Sequence, residues 1–143
     1  MKVRIKLENG GKPPMYGTKE SAGCDLYANI ENPISLMPLE RTLIPTGVYL
    51  EIPPGYEGQV RPRSGLALHS GLTVLNSPGT LDSDYRGEVG VIFVNLSNYI
   101  QTIEPNTRIA QIVFSEYEKV DFIISENLDD TERIGGFGST GEK

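Results

Sequence analysis

No window of eleven or more residues in this chain carries a convincing helical period, and that absence constrains the fold more than any other feature. The apolar residues fall into short runs instead: Val3 to Leu7, Gly47 to Ile52, Gly58 to Arg61, Leu72 to Leu75, Glu88 to Asn95, Arg108 to Tyr117 and Lys119 to Ile124. Between them stand NGG, ENP, IPPGYEG, NSPG and EPN, residues that preset or tolerate turn dihedrals. Sixteen glycines and ten prolines are spread through 143 residues, a length that makes one domain. Many short strands with frequent turns predict an all-β fold, a sandwich, jelly roll or small barrel, in which only Ser64 to His69 makes a helical turn. From ENLDDTERIGG onward glycine and charge replace the apolar pattern. The chain therefore divides into a body over 1–125 and a glycine-rich segment over 126–143, which is either a disordered end or an arm that orders against something else.

Charge narrows the ligand. A formal net charge of −6 disfavours a nucleic-acid polymer as partner. No apolar stretch approaches the length of a membrane span, and MKVRIKLENG alternates like a strand, so a soluble, cytoplasmic protein is expected. The single Cys24 cannot make an internal disulfide. Between Glu20 and Glu118 lysine is absent, and the cations are Arg41, Arg61, Arg63, Arg86 and Arg108. Arginine grips phosphate or carboxylate with two donors where lysine offers a point charge. Ion pairs with acids such as Asp84 and Glu88 account for about half of these arginines on general expectation.

Five segments can carry chemistry. In AGCDLYA, Asp25 lies between small residues, either as a turn former or facing a cation and its waters. In VRPRSGLALHSG, Arg63, Ser64 and Gly65 offer a guanidinium, a hydroxyl and an open backbone N–H. Such a group suits phosphate oxygens, or else Ser64 simply caps the turn. His69 has no second histidine to form a metal pair. In LTVLNSPGTLDSDYRGEVGV, Asn76 sits in a hairpin whose carboxamide matches a base edge, Asp82 and Asp84 share one side of an extended chain, and Tyr85 suits a sugar face. One of the two aspartates is then a base and the other an arginine partner, unless DSDYRG is a plain polar turn. In RIAQIVF, Gln111 interrupts an apolar strand and needs partners, from a ligand or from water. The last segment, RIGGFGSTGEK, contains the spacing G-x-G-x-x-G at Gly136, Gly138 and Gly141, but two residues after the last glycine cannot build the helix a dinucleotide loop requires.

Taken together, AGCDLYA, PRSGLA, GTLDSDYRGEVGV, RIAQ and GGFGSTG resemble the trimeric deoxyuridine triphosphate nucleotidohydrolases, the dUTPases, over nearly the whole chain. The resemblance implies a distorted jelly-roll or β-clip barrel that forms a homotrimer by exchanging C-terminal arms. Each of three sites at the subunit interfaces would, on this resemblance, draw on all three chains. It implies hydrolysis of dUTP to dUMP and pyrophosphate, with Asp82 orienting and activating the water that attacks the α-phosphorus. Arg63, Ser64, Gly65 and Gln111 would hold the phosphates, and Mg²⁺ would meet Asp25 through water. The hairpin containing Asn76, Gly79, Thr80 and Leu81 would read uracil, and Tyr85 would pack where a ribose 2′-hydroxyl projects. From the arm, Phe137 would stack on the base while Arg133, Gly138, Ser139 and Thr140 meet the phosphates. The family's last segment commonly reads R-G-x-G-G-F, whereas this chain has R-I-G-G-F, which alters the reach of Arg133 relative to Phe137.

Three rivals stand beside this reading. A dCTP deaminase would release ammonia from its nucleotide, a regulatory protein would bind nucleotide without turnover, and a capsid-type jelly roll would leave the Phe-Gly-Ser tail without a purpose.

Overall fold

The computed structural model describes residues 1–132 and 135. Among these residues eleven strands and one helix follow one another as β1 (Arg4–Leu7), β2 (Met15–Tyr16), β3 (Cys24–Tyr27), β4 (Ile34–Leu36), β5 (Arg41–Glu51), β6 (Tyr56–Arg61), α1 (Ser64–Ser70), β7 (Leu72–Val74), β8 (Gly79–Leu81), β9 (Glu88–Asn95), β10 (Gln101–Ile103) and β11 (Arg108–Glu116). One sheet has the order β1-β5-β9-β7, a second β2-β3-β11-β6-β8, and β10 pairs with β4 in a short ribbon. Among the described residues the strand pairings are all antiparallel, so one face of each sheet can be apolar while the other meets solvent. Val89, Val91 and Phe93 of β9, Ile44 and Val48 of β5, Leu26 of β3, Val60 of β6 and Ile112 of β11 supply the shared core. Removing a branched side chain from such a core costs about 2–5 kcal/mol.

The predicted strands at Val3 to Leu7, Gly58 to Arg61, Leu72 to Leu75, Glu88 to Asn95 and Arg108 to Tyr117 are present within a residue or two. The Gly47 to Ile52 run is the second half of a longer strand. β5 continues back to Arg41 through Pro45, with a register shift against β9 between Pro45 and Tyr49. Gly47 sits inside that irregularity at φ +68, with a Cβ position only 2.5 Å from the Glu8 carbonyl oxygen, so no side chain fits there. The run from Lys119 to Ile124 is not a strand: β11 ends at Glu116, and Phe122, Ile123 and Ile124 are at least 90% exposed. A strand needs a neighbour to satisfy its backbone, and this run pairs with none among the described residues.

Helix α1 exists, but Ser64 is not its cap. Arg63 occupies the N-cap position with no side-chain cap hydrogen bond, and Gly71 closes the other end in the left-handed conformation at φ 64. His69 is exposed. Cys24 is buried and free, with burial pushing its thiol pKa up and its Sγ directed at the Ile112 carbonyl 3.5 Å away.

At the end of β9, Asn95 is fully buried and organises the turn that follows. Its Nδ2 donates to the Leu36 and Tyr99 carbonyls at 2.9 and 2.7 Å, and its Oδ1 accepts from the Ser97 N–H and hydroxyl at 2.9 and 2.8 Å. An Asn95→Ala chain takes this donor from the buried Leu36 carbonyl and this acceptor from the Ser97 N–H, while the Tyr99 carbonyl keeps the Ser97 hydroxyl at 3.0 Å. The expected loss is about 2–4 kcal/mol, read from the urea midpoint at unchanged m-value. A loss under about 0.5 kcal/mol would mean that water replaces the amide without penalty.

Candidate functional site

Strand register assembles the site. Gln111 of β11 lies opposite Asp25 of β3 on one side and opposite Arg61 of β6 on the other. Residues directly opposed across a sheet share a face, so Asp25, Gln111 and Arg61 form a polar row on the side away from Cys24, Val60 and Ile112. The row floors a cleft of about 450 Å³ whose rim carries Gly23, Arg63, Ser64, Gly65 and Arg108.

A bulge brings Arg108 to this cleft. The pairing of β11 with β3 shifts between Arg108 and Ala110, so that both Ile109 and Ala110 are buried. In an unbroken strand Arg108 would share a face with Ala110. The extra residue turns Arg108 onto the face of Gln111. There the Asp25 carboxylate is bound by two guanidinium groups, Arg63 Nε at 3.0 Å from Oδ1 and Arg108 Nη1 at 3.2 Å from Oδ2. The Asp25 side chain is only 15% exposed and Arg63 28%, which makes this pair less screened than a surface bridge. Arg63 also donates to the Arg108 carbonyl at 3.3 Å. Three arginines against one carboxylate leave the cleft with excess positive charge in a negative protein, a suitable seat for a polyanion.

Gln111 finds its partner within the protein. Its Nε2 donates to the Pro62 carbonyl at 3.0 Å, so neither ligand nor water is needed for that donor. A Cβ on Gly23 would fall 2.2 Å from Gln111 Oε1. The glycine of AGCDLYA is therefore a space reserved for this amide.

The second group lies on the crossing from β7 to β8. β7 pairs with β9 in one sheet and β8 with β6 in the other, so the intervening turn spans both layers. It contains a cis Ser77–Pro78 bond. Gly79 is buried with its Cβ position 3.2 Å from Asn76 Nδ2, which packs the carboxamide directly over the backbone of β8. Thr80 is exposed and Leu81 partly buried, and Asp82 follows at the strand end, exposed. Tyr85 closes a turn by its N–H to the Asp82 carbonyl at 3.1 Å and donates its hydroxyl to the Glu88 carbonyl at 2.9 Å. A Cβ on Gly87 would come within 2.4 Å of that hydroxyl, so the ring position depends on glycine there. Asp84 takes no arginine in an ion pair among the described residues, and Arg86 instead donates to the Ser83 and Tyr85 carbonyls at 2.7 and 3.0 Å. Glu88 likewise accepts from the Gly47 N–H, at 2.7 Å. The expected pairing of arginines with Asp84 and Glu88 thus gives way to pairing with Asp25.

Asp25, Arg63, Ser64, Gly65 and Gln111 come together in the cleft, whereas Asn76, Asp82 and Tyr85 do not line it. Arg133, Phe137, Gly138, Ser139 and Thr140 lie outside the described residues. The sequence names Arg61 and Arg108 only among its five central arginines and does not mark Gly23, because what places all three at the cleft is the register of β11. Among the described residues no three His, Cys, Asp or Glu side chains gather as a metal cage. A single carboxylate in a cleft fits a hydrated divalent cation carried in by phosphates, since Mg²⁺ keeps most of its waters.

A family model described as dUTPase matches residues 10–141. Proteins named deoxyuridine 5'-triphosphate nucleotidohydrolase from Fusobacterium nucleatum and Chlamydia pneumoniae are 56% and 57% identical, each alignment covering 99% of both chains. The dUTPase of Staphylococcus bacteriophage 80alpha, solved as a point mutant with dUpNHpp, superposes with a TM-score of 0.86 at 24% identity over 98% of both chains. A mutant of the phage phi11 enzyme, solved to describe coordination of a structural Mg(II) ion, gives 0.79 at 22% identity over 91% of this chain and 100% of that one. The jelly-roll expectation agrees with these superpositions.

Proposed function

Because the chain belongs to the dUTPase family and is a dUTP nucleotidohydrolase, we propose that it cleaves dUTP to dUMP and pyrophosphate by attack of water on the α-phosphorus, as a homotrimer using Mg²⁺. The observation that carries the reading is the arginine-rim cleft floored by Asp25, Gln111 and Arg61, while Asn76, Asp82 and Tyr85 stand outside it. A phosphate seat and a base-reading hairpin that do not meet in one chain make a complete site when the hairpin of one subunit faces the cleft of another.

In that arrangement Arg63, Ser64, Gly65 and Gln111 hold the phosphate chain in line for displacement, and Asp82 orients the water and accepts its proton. Mg²⁺ would be held by the phosphates and by Asp25 through water, and supplies charge neutralisation as the leaving group departs. Asn76 and the β8 backbone at Gly79, Thr80 and Leu81 read the uracil edge. The exposed apolar run from Lys119 to Ile124 favours burial against a neighbouring subunit, which carries the segment over 126–143 toward that subunit's site. Phe137 then stacks on the base, and Arg133, Gly138, Ser139 and Thr140 approach the phosphates. The enzyme works in the cytoplasm, limiting uracil incorporation into DNA and supplying dUMP for thymidylate synthesis. Among the described residues no helix is long and apolar enough to cross a membrane.

Pyrophosphate release from dUTP, dTTP, dCTP and UTP with Mg²⁺ tests the reading. Turnover confined to dUTP supports it, ammonia release from dCTP moves it to a deaminase, and nucleotide binding without turnover moves it to a regulatory protein. The role of Tyr85 has its own check. Tyr85→Ala opens space beside the sugar and removes the hydroxyl held at Glu88, so competition kinetics should give about a tenfold loss of discrimination against UTP with a smaller change in dUTP turnover. Unchanged discrimination would remove Tyr85 from the sugar pocket.

A further inference from the structure

Arg61 lines the cleft but has no part in the roles above. Arg63 and Arg108 both spend their charge on Asp25, whereas Arg61 has no carboxylate in ion-pair range among the described residues. What holds it is neutral: its Nε and Nη2 donate to Gln59 Oε1 at 3.2 and 2.6 Å, and Gln59 in turn donates to Glu57 Oε1 at 2.6 Å. Glu57, Gln59 and Arg61 alternate along β6, so one face of the strand forms a relay that ends at the cleft. The relay fixes one edge of the guanidinium. Its Nη1 has no hydrogen-bond acceptor among the described residues, which leaves a donor pair and a full charge presented to whatever enters.

The row sets where that charge acts. Asp25 and Arg61 flank Gln111 on opposite strands, about 10 Å apart at two strand spacings. A hydrated cation at Asp25 and the phosphates beside it fill such a span. None of the base-reading residues lines this cleft, so the part of the substrate it receives is the end of the phosphate chain farthest from the nucleoside. We propose that Arg61 binds the two phosphates that depart as pyrophosphate, and so governs leaving-group and product affinity and not nucleoside recognition. The inference rests on the reading of the cleft as the phosphate seat of dUTP hydrolysis.

Inorganic pyrophosphate and dUMP, each used as a product inhibitor, separate the two ends of the substrate. Arg61→Gln should raise the inhibition constant of pyrophosphate about tenfold, with a KM for dUTP raised similarly, because an exposed charge-assisted contact is lost. Inhibition by dUMP should not change, and Arg61→Lys should restore part of the loss by returning the charge without the fork. The salt dependence of pyrophosphate inhibition should become shallower in Arg61→Gln. An equal loss for dUMP and pyrophosphate, or wild-type inhibition by both, would overturn the assignment. An unmodified chain that fails to turn over dUTP would instead strike at the proposed function, so the two failures are distinguishable.

Discussion

Asp82→Asn should lower the kcat for dUTP by about 10²–10⁴-fold while leaving the affinity for a non-hydrolysable dUTP analogue within a few-fold of the unmodified enzyme. The size follows from what a positioned general base contributes, since the amide keeps the shape but cannot take the proton. Asp82 is exposed at the end of β8 and among the described residues makes only a backbone contact, its carbonyl accepting from the Tyr85 N–H, so the substitution disturbs no interior packing. A kcat within threefold of the unmodified enzyme would assign the base elsewhere, and a collapse of analogue binding would make Asp82 a binding group. The same variant tests the shared site. Arg63→Ala should also be inactive through loss of the phosphate grip. If hairpin and cleft come from different subunits, mixed trimers refolded from equal amounts of the two should regain about a quarter of normal activity, the share of interfaces that draw each half from an intact copy. If both halves came from one chain, no mixture would recover anything.

Removal of residues 131–143 is the second large effect. The segment holds Phe137, Ser139 and Thr140, all proposed to meet the substrate, and on that proposal its loss would open the site to bulk water. Loss of orientation alone is worth about 10²-fold when a reacting group is misplaced by an ångström, so pyrophosphate release should fall by at least that factor. The body should keep its melting temperature, because the core lies in strands that end at Glu116. Turnover within threefold of the full chain would make the tail an accessory. A chain lengthened by one glycine after Arg133 gives a finer test. Restoring the commoner family spacing there should change KM if Arg133 contacts phosphate, and should change nothing if Ile134 has taken the arginine out of reach.

How much of this could be read from the chain alone depends on whether the controlling contact was local. Val89, Val91 and Phe93 announce β9 by their own alternation, and Pro and Gly announce the turns, so the layered all-β body was legible. The run from Lys119 to Ile124 has the same apolar, β-branched character, yet within one chain it forms no strand, because a strand is a property of a pair. The site followed the same division. Asp25, Arg63 and Gln111 stood out by residue type in an unexpected setting. Their grouping, the recruitment of Arg108 by a single inserted residue in β11 and the vacancy kept by Gly23 depend on register between strands far apart in sequence. Asn95 shows the cost of reading type without environment: in the sequence it ends a strand like any polar residue, and in the fold its amide makes four hydrogen bonds.

The crossing between β7 and β8 has a mechanical consequence. One end of the turn proposed to read the base is tied to β9 and the other to β6, so its width is set by the separation of the two layers and not by the turn residues alone. The turn works as a caliper whose jaws are the sheets themselves. Heating that loosens exposed segments should leave the choice of base intact, and selectivity should fail only at the temperature where the two layers part.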